Sequence, residues 1–212
     1  MNVVDGKVVP TRAYDYLGAP RLAIFDSGQA FVPSWAPGIR LLYADRPVEY
    51  IQSPGTVFDV RMSNDYRTAV LFSREGVWLW PQDEEPVRLD WSGPVTVGDF
   101  DGRDRVVVVS GDEIVILGRD GAVQRTFAAP ARATAIAWRK GHDELLVGRL
   151  DGGIELLDLS GKTLAEMTQH EGQISTLETS PDGAYLAAAS WDATVSISKL
   201  DQPLRATSAA NP

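Results

Sequence analysis

Residues 170–198 read HEGQISTLETSPDGAYLAAASWDATVSIS. The run ISTLET sets apolar residues at alternate positions, the period expected of a strand with one face buried. SPDG follows, in which proline presets φ, aspartate accepts local N–H bonds and glycine takes the left-handed position. YLAAAS is a second apolar run, the WDAT stretch is a second tight turn, and VSIS alternates again. The stretch predicts three short antiparallel strands joined by hairpin turns.

Working outward, the same pattern recurs. Residues 133–158, ATAIAWRKGHDELLVGRLDGGIELLD, align with it at an offset of 41. Trp138 then lies against Thr179, Leu145 against Leu186, Asp151 against Asp192 and Ile154 against Val195. VTVGDFDGRDRVVVVSGDEIVIL (95–117) sets Asp112 against Asp151, and VFDVRMSNDYRTAVLFSREGVWLW (57–80) sets Glu75 near the same place. A fourth, weaker run closes each unit, as in PVRLDW, AVQRTF, KTLAEM and PLRATS. Four short strands every ~40 residues is the spacing of propeller blades.

These units divide the chain as one all-β domain over 1–212, with blades at 57–94, 95–132, 133–173 and 174–208 and a tail at 209–212. Residues 1–56 read as an irregular blade with additional strands, giving about five blade units in all. There, NVVDGKVVP turns at Asp5-Gly6, RLAIFDSGQAFVP turns at Asp26-Ser27-Gly28, and APG stands where SPDG stands later.

The last unit resembles the WD40 repeat family. The places of the family pattern hold His170, Ile174, Ser180-Pro181-Asp182-Gly183, Leu186 to Ser190, Asp192 and Thr194-Val195. The resemblance is fullest over 170–200, partial over 133–158, faint over 57–132, and barely reaches 1–56. It implies a WD40-like β-propeller, atypical at its N-terminus. It also implies a structural tetrad in which His170, Ser190 and Asp192 lock the blade, with Ser198 where the family has tryptophan. Trp80 is followed by Pro81 rather than aspartate, and Asp158 keeps the terminal acid after Leu157.

Composition narrows the function. With 20 Lys and Arg against 29 Asp and Glu, the formal charge is −9, the wrong sign for direct nucleic-acid binding through phosphates. There are no cysteines, which excludes disulfides, thiolate catalysis and Cys-ligated zinc. No signal-peptide pattern opens the sequence and no apolar run is long enough for membrane insertion, so a soluble cytoplasmic protein is expected.

Two histidines, His142 and His170, are present. Ser190, His170 and Asp192 contain the residue types of a nucleophilic triad, but no nucleophile elbow accompanies them, and the same residues are the tetrad implied by the resemblance. Asp99, Asp101 and Asp104 in GDFDGRDR form a carboxylate cluster on a turn, a candidate for a hard cation such as calcium. It lacks the full loop spacing and a terminal glutamate. No cofactor is expected. Trp191, just before the turn aspartate, and Leu150 at the equivalent place one unit earlier are candidate partner-binding residues, since exposed aromatics anchor interfaces. The reading is therefore a non-enzymatic scaffold or assembly subunit that contacts other protein chains. Those partners, a second copy included, could complete an open propeller. Two alternatives stay open: a structural component of a multi-subunit particle such as a virion or secretion machine, and a metal-dependent propeller hydrolase.

Overall fold

The alternating runs become antiparallel meanders. The computed structural model describes residues 56–200, Ser27, and the segments 2–4, 7–9, 23–24, 30–33, 39–42 and 49–51. A first antiparallel pair joins β1 (Asn2–Val4) to β2 (Lys7–Val9), and the turn expected at Asp5-Gly6 lies outside the described residues. A four-stranded sheet follows, formed by β3 (Ala23–Ile24), β4 (Ala30–Pro33), β5 (Ile39–Leu42) and β6 (Glu49–Ile51).

The next sheet contains β7 (Val57–Met62), β8 (Thr68–Ser73), β9 (Gly76–Pro81) and β10 (Val87–Arg88). It is succeeded by β11 (Val97–Phe100), β12 (Val106–Ser110), β13 (Glu113–Leu117) and β14 (Val123–Ala128). The penultimate sheet holds β15 (Ala133–Trp138), β16 (Glu144–Arg149), β17 (Gly153–Asp158) and β18 (Thr163–Thr168). The terminal sheet has three described strands, β19 (Ile174–Thr179), β20 (Tyr185–Ser190) and β21 (Val195–Lys199). The fourth run expected for it, at 203–208, and the tail at 209–212 lie outside the described residues.

Register agrees with setting Trp138 against Thr179 and Leu145 against Leu186, and the earlier blades pair in the same manner. The first strand pair after each inner turn joins Met62 to Ala69, Phe100 to Val106, Trp138 to Leu145 and Thr179 to Leu186. The first strands of successive sheets lie side by side, β7 by β11, β11 by β15 and β15 by β19. The chain is an all-β array of propeller-type blades, with no helix among the described residues.

The core lies between blades. On β12, Val106 and Val108 pack with Phe72 and Leu79 of the preceding sheet. Their neighbours Val107 and Val109 turn the other way, against Ile136, Trp138 and Val147 of the following sheet. One layer further on, Leu146, Ile154 and Leu156 meet Ile174, Leu177, Leu186 and Ala188 of the terminal sheet. An interior strand is thus apolar on both sides, which explains the unbroken run VVVV in β12, since both faces of an interior blade are covered. Polar links cross the same layers near the inner strands. The Asp99 carboxylate accepts from Arg61 Nε at 2.6 Å and from Trp138 N at 2.7 Å, tying three blades together.

Candidate partner-binding rim and its staples

From β11 onward, the turn that joins the second and third strands of each blade is bonded to a segment that enters a blade, as in Ala129 N to Asp112 O, Leu150 N to Arg132 O and Trp191 N to Gln173 O, and these turns make one rim. In the terminal blade this turn is Trp191-Asp192-Ala193, and Ala193 takes a left-handed φ of 67°. Asp192 organises it, because a short carboxylate can accept the N–H groups that a tight turn leaves unpaired. It accepts from Thr194 N at 2.8 Å and from the Thr194 hydroxyl, and from Glu171 N at 2.9 Å across to the incoming segment.

His170 is buried beside it. Its Nδ1 lies 2.8 Å from Thr194 Oγ1 and 3.3 Å from Asp192 Oδ2, and its Nε2 lies 2.9 Å from Ser196 Oγ. The hydroxyl of Thr194, the backbone N–H groups of Glu171 and Thr194 and the nearby imidazole outweigh burial and hold the Asp192 carboxyl far below the usual carboxylate range. Ser190 stands one step away. Its hydroxyl donates to Gly172 O at 2.9 Å and accepts from Asp192 N at 3.1 Å, so Ser196, not Ser190, touches the imidazole. Ser198 is bonded to Gln169. The arrangement fastens a turn, with both imidazole nitrogens engaged by the Thr194 and Ser196 hydroxyls.

One blade earlier, the same duty falls to a different pair. Asp151 accepts from Gly153 N at 3.0 Å and from Arg149 Nε at 3.0 Å, while Arg149 Nη1 also reaches Glu155 at 2.6 Å. Arg149 was not singled out in the sequence. Its place two residues before the turn acid was the available signal.

The rim's apolar residues differ in exposure. Trp191 is 76 % exposed and Leu150 38 %. On β21, Val195 is 72 % and Ile197 75 % exposed, whereas their equivalents Ile154 and Leu156 are 0 % and 6 % exposed. These two residues of β21 were missed because the alternation there looks the same as in a covered blade.

The carboxylates of the GDFDGRDR turn do not converge. Asp99 points into the inter-blade layer, as described. Burial works against the Asp101 anion, but Arg105 and the backbone N–H groups of Arg103, Arg105 and Asp104 outweigh it and lower its pKa. Asp104 is exposed. Among the described residues, no group of three His, Asp or Glu side chains is placed to hold a metal ion. No helix of the described residues is long and apolar enough to cross a membrane.

Comparison with known proteins bears on this geometry. Residues 161–197 match the family model of the WD domain, G-beta repeat, a span that contains the whole Asp192 turn. Over 105 residues the chain is 33 % identical to the 66 kDa stress protein of Physarum polycephalum, covering 48 % of this chain and 17 % of that protein's length. The chain thus carries a WD40-type repeat at 161–197, set in a propeller-like array of small antiparallel sheets.

Proposed function

We propose that the chain is a non-enzymatic interaction module, a scaffold or assembly subunit, which docks onto another protein chain through its terminal blade. The observation that carries this reading is the exposure of Trp191, Val195 and Ile197 at positions whose counterparts in the preceding blade are covered or half covered. Exposed apolar residues grouped on one blade favour association, since covering them removes apolar surface from water. Tryptophan is among the residues most enriched at the anchors of interfaces. Interior blades of the same chain show what covers such a face, an aliphatic β-sheet face, and a partner offering that chemistry fits best.

The test is site-specific photo-crosslinking in expressing cells, with the crosslinking side chain at Trp191 and, as a control, at Leu164, which is exposed on an interior blade. One dominant adduct from position 191, absent from 164 and lost in Val195→Asp with Ile197→Asp, supports the reading. Equal or absent labelling at the two positions overturns it. Light scattering on a sizing column then separates the partners: a dimer that the double variant dissolves identifies a second copy.

A further inference from the structure

The opposite end of the blades carries a cavity of about 730 Å³, lined by the turns that join the first and second strands. Its geometry starts with two turns of one design. In SPDG, Tyr185 N donates to Ser180 Oγ at 2.9 Å, Ala184 N to Asp182 Oδ1 at 3.1 Å, and Gly183 N to Ser180 O at 2.9 Å. In SNDY, Thr68 N donates to Ser63 Oγ at 2.8 Å, Arg67 N to Asp65 Oδ1 at 3.0 Å, and Tyr66 N to Ser63 O at 2.9 Å. The left-handed place, held by Gly183 at φ 67°, is held by Tyr66 at φ 57°. A bulky side chain is disfavoured there. Tyr66 is exposed and lines the cavity, so the strain presents an aromatic ring and serves no core.

The charges around it are unevenly spent. Of the carboxylates on the wall, Asp101 and Asp143 are both bonded to Arg105, and Glu178 sits in the field of Arg61. Arg61 is matched by Asp99 and Asp59, and Arg139 by Glu144. Among the described residues, two cations on the wall have no carboxylate partner. Arg103 stands on one turn, and Lys140, on the next blade's turn, reaches only the neutral Phe100 carbonyl at 3.2 Å. Trp138 also lines the cavity, with the Arg105 guanidinium over its ring and its side chain buried in the inter-blade core. Two cations without carboxylate partners beside an exposed aromatic ring call for a ligand that carries anionic acceptors and an apolar or planar group. Because the two free cations come from separate turns, they suit charges spaced along a chain better than one compact anion.

We propose that this cavity binds an extended acidic peptide segment, whose carboxylates meet Arg103 and Lys140 while an apolar or aromatic side chain lies on Tyr66. The site is at the other end of the blades from Trp191, so it stands apart from the docking described above.

Fluorescence anisotropy on the full chain tests it with two labelled peptides, GEDFEDG and its charge-reversed counterpart GKKFKKG. The acidic peptide is expected to bind at least about tenfold more tightly than the basic one and to weaken with added salt, as a partly exposed charge contact does. Tyr66→Gly is expected to weaken binding by about tenfold while leaving the thermal midpoint unchanged or higher, because glycine suits the turn's φ. Lys140→Glu with Arg103→Glu is expected to abolish binding. No binding of GEDFEDG at millimolar concentration, equal binding of the two peptides, or undiminished binding by a folded Tyr66→Gly protein overturns the proposal.

Discussion

The penultimate and terminal blades are written almost alike yet stand in different surroundings. Leu146, Ile154 and Leu156 of the first are buried against the second, and their equivalents Ala187, Val195 and Ile197 face outward with partial or large exposure. Gly148 sits so close to the terminal blade that a Cβ there would lie 2.5 Å from Ile174 Cγ2, while the equivalent Ala189 carries its methyl on the outward side. The lesson is that a blade's pattern specifies two buried faces, and whether both are buried is decided by its neighbours. A face that keeps the pattern yet stays exposed, as Val195 and Ile197 do, is the observation on which the proposed function rests.

The sharpest way to break this comparison is truncation at matched positions. Ile154→Ala is expected to cost about 2–5 kcal/mol in equilibrium urea unfolding, the range for a buried aliphatic that leaves a cavity. A loss below about 1 kcal/mol would mean that the inter-blade layer is not the core. Next in size, Gly148→Ala should destabilise by about 1–3 kcal/mol through overpacking against Ile174. The reverse change, Ala189→Gly, should cost only about 0.5–1 kcal/mol, from backbone entropy. Equal effects would show that the two blades are packed alike.

The turn staples offer a pH test. Because the Asp192 carboxyl is depressed in the folded chain, its contribution is fully present above the unfolded value of about 4 and is lost as pH falls below it. The stability gap between the protein and Asp192→Asn should therefore be constant from pH 7 to pH 5 and shrink toward pH 2. A gap that is flat across that whole range would remove the carboxylate from the staple. The smallest effect is expected on the open face: Val195→Ala and Ile197→Ala should each stay within about 0.5 kcal/mol, as exposed substitutions do.

Much of this was legible beforehand because it is local. Alternation of apolar residues and the SPDG turn depend on residues close in sequence and foretold strands and a hairpin turn, while the repeat offset between Asp151 and Asp192 foretold equivalent turns in the last two blades. His170 and Asp192 were paired in advance because the repeat carries both. The hydroxyl against the imidazole was legible only as a serine, and three-dimensional spacing selected Ser196 over Ser190. The carboxylates of GDFDGRDR shared a short loop, but strand alternation turns Asp99 inward while Asp101 stays at the turn, and arginines from 44 positions apart in chain order, Arg61 and Arg105, claim them separately.

By itself, then, the sequence determined an all-β chain of repeated four-run units with acid-capped turns and no thiol chemistry, since these follow from residue type and short-range spacing. Tertiary structure decided which blade faces are covered, which cations keep a carboxylate, and that Tyr66 rather than glycine occupies a left-handed turn at a cavity mouth. Those outcomes depend on contacts between blades some 40 residues apart in sequence, and no local pattern encodes what lies on the far side of a sheet.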